Sequence, residues 1–135
     1  MRAIVAADEH WGIGKDNKLL VSIPQDMKFF RNETTGKVII MGRKTLESFP
    51  NARPLPNRKN IVLTRDMSYT VKDATVVHSV EEALAAVSEY PSDMVYCIGG
   101  DSIYSQFLEY CDTVFVTRIG FTYEADAFFP DLDKH

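Results

Sequence analysis

The stretch Val38-Ile-Ile-Met-Gly-Arg-Lys-Thr45 decides the fold, because a run of apolar residues stops at a glycine that two basic residues follow. The apolar run is typical of a strand buried on both faces, and the residues after Gly42 read as the start of a helix. Backbone N–H groups at a helix start have no partner inside the helix, and Arg43 and Lys44 add positive charge beside them. The stretch predicts a strand-to-helix turn that suits an anion, although a solvated basic turn fits the same pattern.

Two familiar nucleotide-binding motifs are excluded by their spacing. Gly36 and Gly42 are one residue too far apart for a P-loop, and Arg43 stands where the P-loop lysine belongs. The run Gly12-Ile-Gly14 has no third glycine and no helix start after it, so it is not the Rossmann fingerprint. A dinucleotide fold in this chain is therefore of another kind.

The composition fits one globular domain over residues 1–135. The chain is 45% hydrophobic and 25% charged, and its length suits a single core. A net charge of −4 gives no basic field for a phosphate backbone, so we expect no nucleic-acid partner. Asp8 and Glu9 interrupt the short apolar start, which is too short for a signal segment. The sequence contains no run of about 18 apolar residues, so we expect no membrane span and a cytosolic location. Cys97 and Cys111 lack metal-ligand spacing, so we expect core thiols and no metal.

Short apolar runs alternate with helical patterns along the chain. We predict strands near Ala3–Ala7, Val38–Met41, Ile61–Thr64, Thr75–His78, Met94–Ile98 and Thr113–Ile119. Strands separated by helices indicate a mostly parallel sheet covered on both faces, which is a three-layer α/β/α domain.

Helix signals lie between most of these strands. Pro24 fits a first turn, and Ile23, Met27 and Phe30 form an apolar stripe. A second helix follows Gly42 and stops before Pro50, a third follows the capping box of Ser79 and Glu82, and the last begins near Ser102. We expect loops at Asp8–Ser22 and Arg53–Asn60.

Three further features suggest chemistry, each with a plainer explanation. Gly99-Gly100 lies between a strand and a helix, which suits a second phosphate group or simply a tight turn. Asp26 stands beside the apolar stripe, either as a proton source in a cleft or as an acid that offsets the helix dipole. Arg58 can pair with a ligand carboxylate, although exposed loop arginines usually bind nothing specific.

Six motifs, taken together, resemble dihydrofolate reductases of the common bacterial chromosomal type. They are Trp11-Gly-Ile-Gly14, Ile23-Pro-Gln-Asp-Met-Lys-Phe-Phe30, Ile40-Met-Gly-Arg-Lys-Thr45, Arg53-Pro-Leu-Pro-Asn-Arg-Lys-Asn60, Ile98-Gly-Gly-Asp-Ser-Ile-Tyr104 and Phe128-Phe-Pro130, in family order and spacing. The resemblance spans almost the whole chain. It implies NADPH as the cofactor, 7,8-dihydrofolate as the substrate, and a site that antifolate inhibitors would fit.

The resemblance also assigns site residues. Asp26 would be the catalytic carboxylate that binds the pterin amino edge and promotes protonation at N5. The substrate would meet Val5, Ala7, Met27, Phe30, Phe49, Leu55, Ile98 and Thr117, with Arg58 on its glutamate carboxylate. The cofactor would meet Ala7, Ile13, Gly14, Gly42, Arg43, Lys44, Thr45, Leu63, Thr64 and Arg65, then the second phosphate turn at Gly99, Gly100, Asp101, Ser102 and Ile103, with Tyr104 near the nicotinamide.

Two departures from the family pattern stand out. Leu20-Val21 replaces the usual Pro-Trp before the first long helix, so the indole that helps order water beside the carboxylate is missing. The family continues past Phe-Pro with an antiparallel hairpin, whereas this sequence stops at His135. The strand Thr113–Ile119 would then be an exposed sheet edge, which favours self-association.

Two other functions compete with this interpretation. A reductase of a ribosylated pyrimidine in flavin synthesis would share the general fold and NADPH, but Asp26 and Arg58 suit a pterin with a glutamate tail. A non-catalytic nucleotide-binding module would bind NADPH without turnover.

Overall fold

The structure, a computed structural model, describes the backbone of residues 1–7, 12–15, 18–19, 30–118 and 127–128, and side chains within 1–4, 30–49 and 51–115. Its strands are β1 Arg2–Ala7, β2 Gly12–Lys15, β3 Lys18–Leu19, β4 Val38–Gly42, β5 Lys59–Leu63, β6 Ala74–Val77, β7 Val95–Gly99, β8 Thr113–Arg118 and β9 Ala127–Phe128. Residues 30–34 are helical and are termed α1; α2 is Arg43–Glu47, α3 is Val80–Ala86 and α4 is Asp101–Phe107.

A six-stranded sheet with the order β6-β5-β4-β7-β1-β8 forms the centre of the domain. Every pair in it is parallel, as continuous apolar runs joined by helices predict. The six predicted strands and the α/β fold class are thus confirmed. In the described part of the sheet, β8 is an edge strand that pairs with β1.

The prediction of a loop at Asp8–Ser22 is wrong, because β2 and β3 lie within it. Both belong to a small antiparallel sheet of order β3-β2-β9, in which Gly14 pairs with Leu19 and Gly12 with Phe128. A partner more than a hundred residues away leaves no local pattern in a glycine-rich strand. The Arg53–Asn60 loop is also shorter than predicted, because β5 begins at Lys59.

Alternating side chains divide the core between the two faces of the sheet. Val38 and Ile40 point to one face, where they join Cys97 and Phe107 in a buried cluster. Ile39 and Met41 point to the other face, into a cluster that we call the second core. The second core consists of buried Ile4, Ile39, Met41, Leu46, Val62, Tyr96 and Ile98, with Phe30, Phe49, Leu55, Tyr69, Val71, Ala74 and Phe115 packed against it.

The helices match the sequence signals where the structure describes them. The Ser79 side chain accepts a hydrogen bond from the Glu82 N–H at 3.1 Å, which caps α3 as predicted. The predicted first helix is described from residue 30 onward, so its earlier part with Pro24 and Asp26 lies outside the described residues. Tyr96 ties α1 to the sheet, since its hydroxyl donates to Glu33 Oε2 at 2.9 Å.

The two cysteines are free thiols. Cys97 is buried in the core as predicted, whereas Cys111 is half-buried at its margin. No helix in the described part of the chain has the length and apolar character that crossing a membrane requires.

Candidate functional site

The two predicted glycine turns meet at the carboxyl edge of the sheet. Gly42 ends β4 and Gly99 ends β7, and these strands are neighbours in which Met41 pairs with Gly99. The strand order reverses between them, since β5 and β6 lie beyond β4 while β1 and β8 lie beyond β7. Open parallel sheets bind their ligands in the crevice at such a switch point.

Close approach of neighbouring groups favours glycine at both turns. A Cβ on Gly42 would lie 3.0 Å from Ile103 Cγ1, which is too close for an ordinary contact. Gly99 has a φ of 120°, and a Cβ there would lie 3.2 Å from the Tyr104 hydroxyl. The backbone therefore passes close to Ile103 at one turn and to Tyr104 at the other, a packing that glycine permits.

The two helix starts differ in how well they suit an anion. No acidic residue lies in the first turn of α2, and Gly42 offers no side-chain cap to its N–H groups. In α4 the Asp101 carboxylate accepts the Ser102 N–H at 2.9 Å, so the protein already supplies an anion there. The α2 turn is thus the stronger candidate for a phosphate group.

Arg43 is held on the β5 side of this crevice. Its Nη1 lies 3.3 Å from Asp66 Oδ2, its Nε lies 3.5 Å from Glu47 Oε1, and its guanidinium lies 4.4 Å from the centre of the Tyr69 ring. Ser68 donates two hydrogen bonds to Asp66 Oδ1, and together with Arg43 these hold the pKa of Asp66 below its usual value. The first basic residue of α2 therefore faces the loop after β5.

That loop continues the edge beyond Leu63, which pairs with Gly42. The Thr64 N–H donates to the Val77 carbonyl, and the Thr64 carbonyl accepts from His78 Nδ1 at 2.9 Å. The side chains of Lys44 and Arg65 are exposed at the same edge. The predicted ribose-phosphate residues thus form one continuous rim along β4 and β5.

The predicted apolar walls gather in the second core. Ile98 is buried there, and Phe30, Phe49 and Leu55 are half-buried against it. These residues come from α1, the segment after α2, the loop before β5, and β7, yet they share one face of the sheet. Such an apolar surface next to the two glycine turns suits a flat ring that must be kept from water.

Arg58 lies beside that surface. Its Nε donates to Thr34 Oγ1 at 2.9 Å, its Nη1 donates to the Pro56 carbonyl, and its guanidinium lies 5.9 Å from the centre of the Phe30 ring. Burial and the nearby charge of Arg31 lower the pKa of Arg58. The guanidinium is fixed at the rim of the apolar wall, as a carboxylate clamp requires.

Asn60 fixes the loop that carries Leu55 and Arg58, and sequence reasoning missed it. Its buried side chain accepts the Leu55 N–H at 3.0 Å and donates to the carbonyls of Leu55 at 3.0 Å and Arg58 at 3.1 Å. The signal was an asparagine directly before the apolar run that starts at Ile61.

The remaining predicted residues fall into two groups. Tyr104 is buried beside Gly99 and donates its hydroxyl proton to the Ile4 carbonyl at 2.8 Å. Asp26 and Met27 lie outside the described residues, and only backbone is described for Val5, Ala7, Ile13, Gly14 and Thr117. In that backbone Val5 and Ala7 pair with β8, and Thr117 pairs with Ala6. Among the residues whose placement is described, no cluster of His, Cys, Asp or Glu could hold a metal ion.

Comparison with known proteins gives the family to which this chain belongs. The sequence model named dihydrofolate reductase matches residues 1–135. The chain belongs to the dihydrofolate reductase family. The reductases of Staphylococcus haemolyticus and Bacillus subtilis are 42% and 40% identical to it, over 94% and 97% of this chain and 74% and 76% of their own lengths.

A solved structure agrees with the family assignment. Dihydrofolate reductase from Enterococcus faecalis, complexed with NADP(H) and RAB-propyl, superposes with a TM-score of 0.89 at 41% identity, over 98% of this chain and 77% of that chain. Both the predicted family and the predicted fold are confirmed. A flavin-pathway reductase is not the family that these comparisons give.

Proposed function

We propose that this chain reduces 7,8-dihydrofolate to 5,6,7,8-tetrahydrofolate with NADPH, the activity of its family. The observation that carries the proposal is that the glycine turns at Gly42 and Gly99 meet beside the apolar wall of Phe30, Phe49 and Leu55. A cofactor held at the turns would present its ring to a substrate ring on that wall. The enzyme then has to align two rings, exclude water and supply one proton.

The residues at the edge of the sheet fit NADPH. The start of α2 after Gly42 has no side-chain cap, so its N–H groups suit phosphate oxygens, and Arg43 and Arg65 bring positive charge to the β5 side, where an adenosine 2′-phosphate would distinguish NADPH from NADH. When bound, NADPH supplies the hydride that C6 of the substrate receives. The protein positions this chemistry and does not supply the electrons.

The residues proposed to bind the substrate are assigned from their chemical type and their position in the fold. The half-buried aromatic wall excludes water from the ring, and Arg58 at its rim pairs with the glutamate α-carboxylate. We assign Asp26 to the pterin amino edge and to protonation at N5, with Thr117 and the backbone of Val5 and Ala7 beside it. The same surface would bind antifolate inhibitors, since they share the shape and charge of the substrate ring.

Self-association through β8 stays a prediction. In the described part of the sheet β8 is the edge strand beside β1, and edge strands can pair with a strand of another chain. Light scattering of the purified chain tests it, and a monomer at every concentration would refute it.

Arg58→Leu tests how the substrate is held. With dihydrofolate, KM should rise about tenfold or more, because a charge-assisted pair contributes roughly 1.5–3 kcal/mol. With a dihydropterin that lacks the glutamate tail, KM should stay near the wild-type value. Arg53→Leu removes an exposed arginine from the same loop and serves as the control. Equal losses with both substrates would mean that Arg58 only supports the loop.

A further inference from the structure

Asp66, in the loop after β5, holds its carboxylate where the proposed function places the adenosine 2′-phosphate of the cofactor. Asp66 Oδ2 lies 3.3 Å from Arg43 Nη1, and the two side chains are 44% and 40% exposed. Arg43 is one of the two arginines that face an adenosine 2′-phosphate under the proposed function. The protein thus carries its own anion against a cation that the ligand would use.

Asp66 is fixed in this position by its own loop. Ser68 donates to Asp66 Oδ1 from its backbone at 3.0 Å and from its hydroxyl at 2.7 Å. The Asp66 N–H donates to Thr64 Oγ1, and the Tyr69 N–H donates to the Asp66 carbonyl. One carboxylate oxygen is therefore bound within the loop, which leaves Oδ2 directed at Arg43.

We propose that Asp66 is a specificity-determining residue that competes with the cofactor's 2′-phosphate for the Arg43 guanidinium and so weakens the preference of this chain for NADPH over NADH. Asp66 can act in this way only if the proposed function holds and Arg43 meets that phosphate. The competition has two parts: the Arg43–Asp66 pair must open, and the carboxylate then repels a doubly charged neighbour. A cofactor without the 2′-phosphate meets neither obstacle.

Asp66→Asn separates this role from loop support. Asparagine keeps an oxygen for Ser68 but presents no charge to Arg43, so the Nη1 side of the guanidinium becomes available to the ligand while Glu47 still faces Nε. Affinity for NADP⁺ should rise about three- to tenfold, as expected for removing one charge at the surface, and affinity for NAD⁺ should stay within about twofold. Calorimetric titration measures both without turnover. The gain should shrink as salt rises from about 0.05 M to about 0.5 M.

Asp73→Asn is the matched control. It removes the same charge from the same connection, but Asp73 directly precedes β6 at the opposite edge of the sheet, and its φ of 66° suits asparagine. Its ratio of NADP⁺ to NAD⁺ affinity should remain that of the wild type.

A second arm tests whether the gain depends on Arg43. In an Arg43→Ala background, Asp66→Asn should give less than half of its effect on NADP⁺ affinity. An equal gain in both backgrounds would refute competition for Arg43. If the wild type prefers NADP⁺ and Asp66→Asn leaves the ratio of NADP⁺ to NAD⁺ affinity unchanged or lowers it, this inference alone is overturned. If the wild type and Asp66→Asn both bind the two cofactors equally, the 2′-phosphate assignment is overturned as well.

Discussion

Replacing Asn60 with aspartate should destabilise the protein and loosen the loop beside the substrate wall. The change keeps side-chain shape and the acceptor for the Leu55 N–H, but it removes both donors and sets a carboxylate oxygen against the carbonyls of Leu55 and Arg58. Asn60 is only 2% exposed, so water cannot relieve that contact. We therefore expect the new acid to stay protonated in the folded protein.

The size of the effect follows from these contacts. Losing two hydrogen bonds costs about 2 kcal/mol of folding stability. Keeping the carboxyl group neutral at pH 7 costs at most ~4 kcal/mol more, and the protonated acid recovers part of this loss because it can still donate one hydrogen bond. A net loss of about 3–5 kcal/mol is a large part of the ~5–15 kcal/mol of a typical domain. The melting temperature should fall by about 10–20 °C at neutral pH.

The pH dependence gives a separate test. The folded protein would bind one more proton than the unfolded chain above pH ~4, so the variant should gain stability relative to wild type as pH falls from about 7 to about 5. Thermal unfolding at the two pH values measures it. Asn57→Asp is the control, because Asn57 is exposed in the same loop at a φ of 61°. If both variants melt together at neutral pH, the three hydrogen bonds of Asn60 do not hold the loop.

Further predictions concern the proton, the cofactor and a thiol. Asp26→Asn should lower turnover at neutral pH by ~10²-fold, and turnover should recover partly in acid, where more substrate arrives already protonated. A pH profile like that of the wild type would show that Asp26 is only a helix-cap acid. Replacing Arg43 and Arg65 with alanine should raise KM for NADPH far more than KM for NADH, and equal changes would refute the phosphate assignment. Burial raises the pKa of Cys111 to about 11, whereas an unfolded thiol titrates near ~8.5. The folded state therefore keeps a proton that the unfolded chain loses, so stability should fall as pH rises from about 8.5 to about 11. Burial also raises the pKa of Cys97, which adds to this slope, so Cys111→Ala should reduce the slope in thermal melts without abolishing it.

The central strands β4 and β7 were predictable because they are buried on both faces. Val38–Met41 is a continuous apolar run, and the glycine after it marks where the strand must end. The Ser79 cap of α3 was equally local, and the structure contains it, although the Glu82 carboxylate accepts the His78 N–H and not the Ser79 N–H that a full capping box would use. Elements whose signals lie within a few neighbouring residues could thus be predicted from the sequence.

Long-range pairing and single polar contacts could not be predicted. β2 depends on β9, far away in the chain, and its glycines carry no apolar alternation. Asn60 and Asp66 act through hydrogen bonds to particular backbone or side-chain atoms, and no periodic pattern marks such a residue. The family resemblance supplied the roles of Asp26 and Arg58, for which spacing alone left a plainer explanation open.

The most direct test of the account is NADPH absorbance in the presence of the purified, folded chain. We predict a loss of NADPH that depends on added dihydrofolate and yields one tetrahydrofolate for each NADPH consumed. A folded protein that binds NADPH and leaves it unchanged when dihydrofolate is added would contradict the proposed reaction.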